Sequence, residues 1–282
     1  MPQGAPPPDQ SAEAASCQGA PPAKPAPPAQ GAPPAIVLKE LTKAFGGVRA
    51  VDRIDLAIPA GSLYGFVGPN GAGKTTTLSM ATGLLRPDAG EVRVAGLDLW
   101  ADPPAAKARL GVLPDALRLF DRLTGAELLT YTGRLRGMDR ATIADRAGQI
   151  LASLDLGADA AKPVADYSAG MTKKIGLGCA IIHAPDILVL DEPFEAIDPL
   201  SAAAIRAILQ GFVRSGGTVV LSSHVMAAVE AMCDHVAVIA QGRIIAAGPV
   251  AEVAAGESLE RRFLDLLGGG QQTAELTWLR PS

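Results

Sequence analysis

The sequence has few cysteines and no long apolar run, and each shortage excludes a class of protein. The 282 residues include three cysteines, Cys17, Cys179 and Cys233, none of them in a C-x-x-C pair. Without that spacing we expect neither a zinc site nor a disulfide framework, and we interpret the cysteines as reduced thiols.

Apolar runs long enough to cross a membrane are also missing. A spanning helix needs about 18 or more apolar residues, whereas the most apolar stretches, 175–185 and 217–229, are shorter and each contains a histidine. The N-terminus lacks the basic patch and apolar run that are typical of a signal peptide. We therefore expect a cytoplasmic protein whose membrane function, if it has one, requires a second chain that spans the bilayer.

Basic residues are not in excess. The 25 Lys and Arg residues are outnumbered by 29 Asp and Glu, which gives a net charge of −4. Because nucleic-acid-binding proteins present basic surfaces, we predict no nucleic-acid partner. The length is sufficient for one large domain with a substantial core.

The composition changes near residue 35. Residues 1–34 hold 11 of the 23 prolines, and we predict a disordered Pro/Ala-rich tail because such a segment buries too little apolar surface to offset its ordering entropy. Apolar periodicity predicts an α/β domain over 35–255, with a helical subdomain at about 105–170, and then a C-terminal helical extension over 256–282.

Short apolar runs and helical periodicity predict the elements of this domain. We expect a helix at 74–85 and helical structure over 105–165. We expect strands at 36–41, 54–58, 62–67, 91–95, 187–190, 218–221, 235–240 and 243–247. The runs at 187–190 and 218–221 are predicted to be buried parallel strands. Near the end of the chain, Leu259, Phe263 and Leu266 share one face of an amphipathic helix.

A glycine-rich segment between a predicted strand and a predicted helix matches G-x-x-x-x-G-K-[ST]. Its residues are Gly68, Pro69, Asn70, Gly71, Ala72, Gly73, Lys74 and Thr75, with Thr76 following. Glycines let the backbone turn its N–H groups towards an anion, and the helix N-terminus adds a field that favours negative charge. We expect Lys74 to reach the β- and γ-phosphates of a nucleotide and the Thr75 hydroxyl to ligate Mg²⁺.

An apolar strand, ILVL, ends in the acidic pair Asp191 and Glu192. We expect Asp191 to lie beside the phosphates and hold Mg²⁺, directly or through water. Glu192 is then placed to act as the general base that activates the attacking water.

The order GPNGAGKTT, YSAGM, ILVLDEP and SSH resembles the ABC ATPases, and the resemblance covers about residues 36–250. It implies a P-loop NTPase fold of the ABC type, in which a mixed sheet core carries an antiparallel β subdomain and a helical subdomain. It also implies the cofactors ATP and Mg²⁺.

The segment YSAGM stands where the family has its signature, usually LSGGQ, which contacts the γ-phosphate of ATP held by the opposite subunit. Ser168 and Gly170 match that pattern, whereas Ala169 and Met171 depart from it. Similar YS-x-GM variants occur among exporter-type subunits that work with a separate membrane permease.

The resemblance assigns four more positions. His224 matches the histidine that contacts the γ-phosphate, and Phe45 matches the aromatic residue that stacks on adenine. Asp198 matches the loop that couples the two sites across a dimer. Asp115 stands where the family usually has Gln and exporter-type relatives often have Glu; a carboxylate there can still ligate Mg²⁺.

These residues predict the ATP-hydrolysing subunit of a membrane transporter, most simply an exporter. Two such subunits, in a homodimer or a pseudo-symmetric heterodimer, would lie at the inner face of the membrane against a separate transmembrane permease. Two alternatives remain open from the sequence. One is a soluble ABC ATPase that acts outside transport, and the other is a regulatory nucleotide switch, which the altered signature and Asp115 leave possible.

Overall fold

A computed structural model describes residues 33–267 of the protein. The predicted N-terminal tail therefore lies outside the described residues except for positions 33 and 34, and the predicted C-terminal extension is described only to residue 267. The division into tail, domain and extension stays a prediction. In the described part of the chain, no helix combines the length and apolar character needed to cross a membrane.

The described residues form ten strands and nine α-helices. The strands are β1 (Ile36–Phe45), β2 (Val48–Ile58), β3 (Leu63–Val67), β4 (Ala89–Val94), β5 (Leu97–Asp98), β6 (Leu110–Leu113), β7 (Ile187–Leu190), β8 (Thr218–Ser223), β9 (His235–Ala240) and β10 (Arg243–Pro249). The helices are α1 (Lys74–Ala81), α2 (Pro103–Ala108), α3 (Gly125–Leu135), α4 (Arg140–Ser153), α5 (Ala169–Ile181), α6 (Pro199–Arg214), α7 (Met226–Met232), α8 (Val250–Ala254) and α9 (Leu259–Leu266).

The strands form two sheets, as the sequence predicted. A four-stranded antiparallel sheet has the order β2-β1-β4-β5, and a six-stranded mixed sheet has the order β10-β9-β3-β8-β7-β6. Strands β9, β3, β8, β7 and β6 are mutually parallel, and only the β9–β10 hairpin is antiparallel within that sheet.

Each central strand contributes to two cores, one on each face of the mixed sheet. In β7, Leu188 and Leu190 pack with the helical region, whereas Ile187 and Val189 pack towards the antiparallel sheet. Successive side chains of a strand point to opposite faces, so a strand covered on both faces is apolar throughout. The uninterrupted apolar runs in the sequence have this origin.

Two sequence-based expectations were wrong in detail. Helical pattern was predicted throughout 105–165, but Leu110–Leu113 forms β6 and pairs with β7; four residues are too few to interrupt a helical periodicity in the sequence. The helix predicted over 74–85 ends at Ala81, because Gly83 adopts φ 69°. A left-handed glycine just after the last turn is a common way for a helix to end.

Helices α3, α4 and α5 pack on one another beside the mixed sheet. Helix α3 begins with a capping box, in which the Glu127 backbone N–H donates to Thr124 Oγ1 and the Thr124 N–H donates to the Glu127 carboxylate. Helix α9 confirms the predicted amphipathic helix, and it is joined to α7 by the Leu259 N–H, which donates to Glu230 Oε2 at 3.0 Å.

Candidate functional site

Three neighbouring parallel strands end at the same edge of the mixed sheet. The chain leaves β3 at Val67 to enter the glycine-rich loop, leaves β7 at Leu190 to enter Asp191 and Glu192, and leaves β8 at Ser223 to enter His224. The carboxyl ends of parallel strands are where open α/β sheets bind ligands. The topology thus brings three separate sequence motifs together.

The glycine-rich loop requires glycine at specific positions. Gly71 and Gly73 have φ values of 79° and 103°, which disfavour any side chain. A Cβ at Gly68 would collide with the Ile239 carbonyl. The turn of the β9–β10 hairpin supports the loop from behind, because the Gly242 N–H donates to the Ala72 carbonyl at 2.9 Å.

Lys74 is held inside this loop. Its ammonium donates to the Gly68 carbonyl at 2.8 Å and the Pro69 carbonyl at 3.3 Å, and lies 3.6 Å from Glu192 Oε1. The side chain is 6% exposed. A buried ammonium is costly unless it is paired, so its position is firmly set by the loop and by Glu192.

The acidic pair after β7 is buried and hydrogen-bonded. Asp191 accepts a hydrogen bond from Ser222 Oγ, and its own N–H donates to the Leu113 carbonyl at 2.8 Å. Glu192 Oε2 lies 3.0 Å from His224 Nδ1. Glu192 is also a non-glycine residue with φ 46°, an unfavourable conformation of a kind that is concentrated at functional sites.

Sequence reasoning missed Ser222. Its hydroxyl accepts from the Glu192 N–H at 2.9 Å and donates to Asp191, so one side chain of β8 fixes both acids. The serine was visible in the SSH segment, but only the pairing of β7 with β8 puts its hydroxyl against the acidic pair.

A cavity of about 340 Å³ lies at this edge of the sheet. The predicted site residues that line it are Asn70, Gly71, Gly73, Lys74, Thr75, Thr76, Asp115, Glu192 and His224. A smaller cavity of about 150 Å³ next to it is lined by Thr75, Asp115 and Asp191 among others. Gly68 and Pro69 line a third cavity, which they share with His224, and Ala72 is buried.

A larger cavity, of about 480 Å³, lies elsewhere and carries no comparable chemistry. It is lined by Asp52, Arg53 and Arg243 among others, and Asp52 already accepts hydrogen bonds from Arg49 and Arg243. These hydrogen bonds hold the pKa of Asp52 below its ordinary value. The Asp52 carboxylate is thus already paired with arginines of the protein, so the 340 Å³ cavity at the strand ends, which the motif residues line, is the better candidate site.

Phe45 stands apart from these cavities at the end of β1. Its side chain is 50% exposed, and the Lys43 ammonium lies 5.6 Å from the ring centroid. An exposed aromatic face beside a cation suits the stacking of a base.

A second group of predicted residues lies around the start of α5. Ser168 caps this helix by accepting from the Met171 N–H at 3.3 Å, and Asp198 caps α6 by accepting from the Ser201 N–H at 2.9 Å. The hydrogen bonds from Ser201 lower the pKa of Asp198. The two helix starts are neighbours, because a Cβ at Gly170 would lie 3.4 Å from Asp198 Oδ2.

None of Ser168, Gly170 and Asp198 is among the described residues that line the 340 Å³ cavity. The chain therefore carries two groups of site residues, one at the ends of β3, β7 and β8 and one at the starts of α5 and α6. We call Lys74, Asp191, Glu192, Ser222 and His224 the phosphate-side cluster, and Ser168, Gly170 and Asp198 the signature cluster.

The mixed sheet, the glycine-rich loop between β3 and α1, and the acidic end of β7 together define a P-loop nucleoside triphosphatase. Comparison with known proteins narrows this class. The family model described as "ABC transporter" matches residues 51–195, just over half of the chain. The chain belongs to the ABC transporter family, and it is an ATP-binding subunit with ATPase activity.

Individual relatives agree with this assignment. The chain is 38% identical over 219 residues to the daunorubicin/doxorubicin resistance ATP-binding protein DrrA of Streptomyces peucetius, covering 78% of this chain and 66% of that protein. It is 35% identical over 210 residues to the linearmycin resistance ATP-binding protein LnrL of Bacillus subtilis (strain 168), covering 74% of this chain and 68% of that protein. A solved structure described as the ATP-binding subunit of an ABC transporter has a TM-score of 0.77 and 26% identity, covering 82% of this chain and 99% of that one.

Proposed function

We propose that this chain couples hydrolysis of Mg-ATP to the export of a cargo through a separate membrane permease. The main observation in support is that Lys74, Glu192 and His224 line one cavity at the ends of β3, β7 and β8. The groups that a γ-phosphate and an attacking water require thus converge at one point of the fold.

ATP binding is assigned to the glycine-rich loop and to Phe45. The loop backbone and the start of α1 offer N–H groups to the phosphates, and Lys74 supplies a positive charge. The exposed ring of Phe45 offers a face for adenine, and stacking of this kind is sequence-tolerant and needs no hydrogen bond from the base.

The chemistry of the donor set fits Mg²⁺. Thr75, Asp115 and Asp191 line the same 150 Å³ cavity, and hydroxyl and carboxylate oxygens are the ligands that Mg²⁺ prefers. Within residues 33–267 no group of three His, Cys, Asp or Glu side chains could hold a metal ion. Bound together with ATP, an ion held by these residues would offset the negative charge of the transferred group.

Hydrolysis is assigned to Glu192 with His224. The Glu192 carboxylate takes a proton from water as the water oxygen bonds to the γ-phosphorus, and the bond from that phosphorus to the β,γ-bridging oxygen breaks to release ADP. His224 contacts Glu192 Oε2 at 3.0 Å and can hold this carboxylate in position. The buried Ser222 hydroxyl accepts from the Glu192 N–H and donates to the Asp191 carboxylate, which fixes both residues.

A dimer would explain the separation of the two clusters. The signature cluster carries two helix N-termini, at Ser168 and Asp198, that lie outside the 340 Å³ cavity. In a head-to-tail dimer the signature cluster of each subunit would face the ATP on the other, which completes both sites. The chain carries all the predicted catalytic residues, so a homodimer would have two competent sites.

The proposal includes a membrane partner and an outward direction of transport. DrrA and LnrL are named for resistance to toxic compounds, which export would provide. On this proposal the subunit is cytoplasmic and lies on the inner face of the membrane, against the permease.

The test is capture of the ATP-bound complex from native membranes with tagged Glu192→Gln protein. Loss of the general base typically lowers the rate of hydrolysis by 10²–10⁴-fold, so this variant should retain ATP and stay dimeric. With ATP and Mg²⁺ present, we expect a polytopic membrane protein to be captured in roughly equal amount to the tagged subunit. The Lys74→Ala protein, which should not retain ATP, is the control.

Each outcome is informative. Capture of the membrane protein with Glu192→Gln and of an ATP-stabilised dimer supports the proposal. Capture of ribosomal or DNA-bound proteins without a membrane subunit rejects transport but keeps the ATPase assignment. Full turnover by Glu192→Gln would remove Glu192 from the role of general base.

A further inference from the structure

Lys173 links the helix of the signature cluster to the phosphate-side cluster. It lies in the second turn of α5, the helix that Ser168 caps, and its side chain is only 13% exposed. Its ammonium donates to the Glu192 carbonyl at 3.0 Å and lies 3.8 Å from Asp115 Oδ1. One side chain of the signature helix therefore contacts two residues that line the 340 Å³ cavity.

The hydrogen bond from Lys173 falls on Glu192, a residue with an unfavourable backbone conformation. At φ 46° this residue needs its surroundings to hold it in place. Its N–H donates to Ser222 Oγ at 2.9 Å, and its carbonyl accepts from Lys173 Nζ and from the Glu195 N–H at 3.2 Å. Ser222 on β8 and Lys173 on α5 thus hold the backbone N–H and the backbone carbonyl of one residue from opposite elements.

The contact with Asp115 gives Lys173 a second partner in the site. Asp115 is half-exposed and lines both the 340 Å³ and the 150 Å³ cavity. An ion pair of this exposure contributes little to stability, so stability alone does not account for a lysine side chain that is only 13% exposed. Its position between the two residues indicates a geometric role.

We propose that Lys173 is a positioning residue for hydrolysis. Through its contacts, the placement of the Glu192 carboxylate and of Asp115 depends on the position of α5. The inference rests on the proposed function, because it assumes that Glu192 acts on the water that attacks ATP. A shift of α5, whose first turn carries Ser168 and Gly170, moves the ammonium and with it the hydrogen-bonded carbonyl. Contact of the signature cluster with a second subunit would in this way be transmitted to the catalytic acid.

The test compares Lys173→Met, which keeps the length of the side chain but removes its charge, with Lys173→Arg, which keeps a cation. A misplacement of the order of an ångström at a catalytic group costs up to about 100-fold, and we expect kcat of Lys173→Met to fall roughly tenfold. The KM for ATP should stay within about twofold of wild type, because the change acts on the chemical step rather than on binding. Lys173→Arg should recover most of kcat.

Lys39→Met is the matched control, since Lys39 is an exposed residue of β1. Asp115→Asn tests the second contact: in that background the loss caused by Lys173→Met should shrink, as expected of residues that act together. Equal kcat for wild type and Lys173→Met, or an equal loss in Lys39→Met, overturns the proposal. Should Lys173→Met not fold, Lys173→Gln replaces it, and kcat within about twofold of wild type overturns the proposal equally.

Lys74→Ala is measured beside these variants to separate the two proposals. Turnover of the wild type that does not depend on Lys74 rejects the proposed function itself. Turnover that depends on Lys74 but not on Lys173 rejects only the positioning role.

Discussion

The phosphate-side cluster and the signature cluster are built in different ways. Four of the five residues of the phosphate-side cluster, Lys74, Asp191, Glu192 and Ser222, are buried and hydrogen-bonded to one another or to the loop backbone, and the fifth, the exposed His224, contacts Glu192. In the signature cluster, Ser168 and Asp198 are exposed, and the contacts of their side chains are to the N–H groups of their own helices.

The difference follows from what each cluster is proposed to do. Groups that stabilise charge during a reaction act best when they are fixed in advance and shielded from water. Groups that meet a second molecule must be reachable, and helix N-termini offer N–H groups to an anion without any further ordering. One chain therefore contains a preorganised half of a site and an exposed half. Substitutions in the two halves should have different effects on ATP binding and turnover.

The largest expected effect is in the phosphate-side cluster. Lys74→Ala removes the cation that the loop carbonyls and Glu192 enclose, and the Glu192 carboxylate loses a buried partner. We expect ATPase activity to fall by more than about 100-fold, with loss of measurable ATP binding, since this charge acts on the phosphates in both ground and transition states. Steady-state ATPase assays and equilibrium binding of a fluorescent ATP analogue measure the two effects.

Lys39→Met again serves as the control for loss of a positive charge. Circular dichroism should show a native fold for Lys74→Ala. Near-normal ATP binding by this variant would mean that the loop does not hold the phosphates through Lys74.

The next largest effect is expected in the signature cluster. Ser168→Asp keeps a good helix cap, because Asp and Ser cap equally well, but adds a negative charge where the γ-phosphate of the opposite subunit would lie. We expect turnover to fall roughly 100-fold, as when one stabilising donor is removed, while ATP binding by the single chain is preserved. Size-exclusion chromatography with ATP should show loss of the dimer.

A mixture of Lys74→Ala and Ser168→Asp subunits tests the division most directly. In a head-to-tail heterodimer one site combines both defects, and the other combines the intact loop of one chain with the intact signature of the other. Mixing two inactive proteins should therefore restore turnover. Ser258→Asp makes the same change at the cap of α9 and should have little effect. No recovery on mixing would argue that each chain completes its own site.

Motifs in the sequence point to Lys74, Asp191 and Glu192 more directly than to the residues that hold them in place. Motif spacing is enough for Lys74, Asp191 and Glu192, because the chemistry requires these residue types directly after a strand or at the start of a helix. Ser222 and Lys173 act through contacts made across β8 and α5. Such contacts depend on strand pairing and helix packing, which local patterns do not encode.

The fold shows the same limit. The apolar runs of β7 and β8 predicted buried parallel strands, and both were confirmed. Strand β6 was missed because its four residues lie in a region that is otherwise helical, and its strand conformation comes from pairing with β7. Tertiary pairing, rather than local propensity, decided the structure of this segment.

A smaller effect is expected for nucleotide affinity at Phe45, which belongs to neither cluster. Phe45→Ala removes a half-exposed ring, and stacking on a base is worth about 1–3 kcal/mol. We expect the KM for ATP to rise roughly tenfold with little change in kcat, and Phe45→Trp to restore the affinity. An unchanged KM in Phe45→Ala would place adenine elsewhere, and a fall in kcat alone would indicate an effect on the phosphate-side cluster.

The smallest effect should fall on stability and leave both clusters untouched. His183 lies between α5 and β6, with Nε2 3.0 Å from the Leu110 carbonyl, and burial followed by the charge of Arg136 lowers its pKa to about 4. Between this value and the ordinary pKa of about 6.5 the unfolded chain binds a proton that the folded chain does not. The contribution of His183 to stability should therefore be constant above about pH 6.5 and become unfavourable as the pH is lowered from there.

His183→Gln keeps a hydrogen-bond donor but does not titrate, so it should reduce this loss of stability. Between pH 7.5 and 5.5 we expect the free energy of unfolding in urea to fall by about 0.5–1 kcal/mol more in the wild type than in the variant, after allowance for partial exposure of the ring. ATPase activity at pH 7.5 should be equal in the two proteins, because His183 contacts neither cluster. Equal acid sensitivity in both proteins would show that another group controls stability in this pH range. A loss of ATPase activity in His183→Gln at pH 7.5 would show that the junction of α5 and β6 affects the phosphate-side cluster.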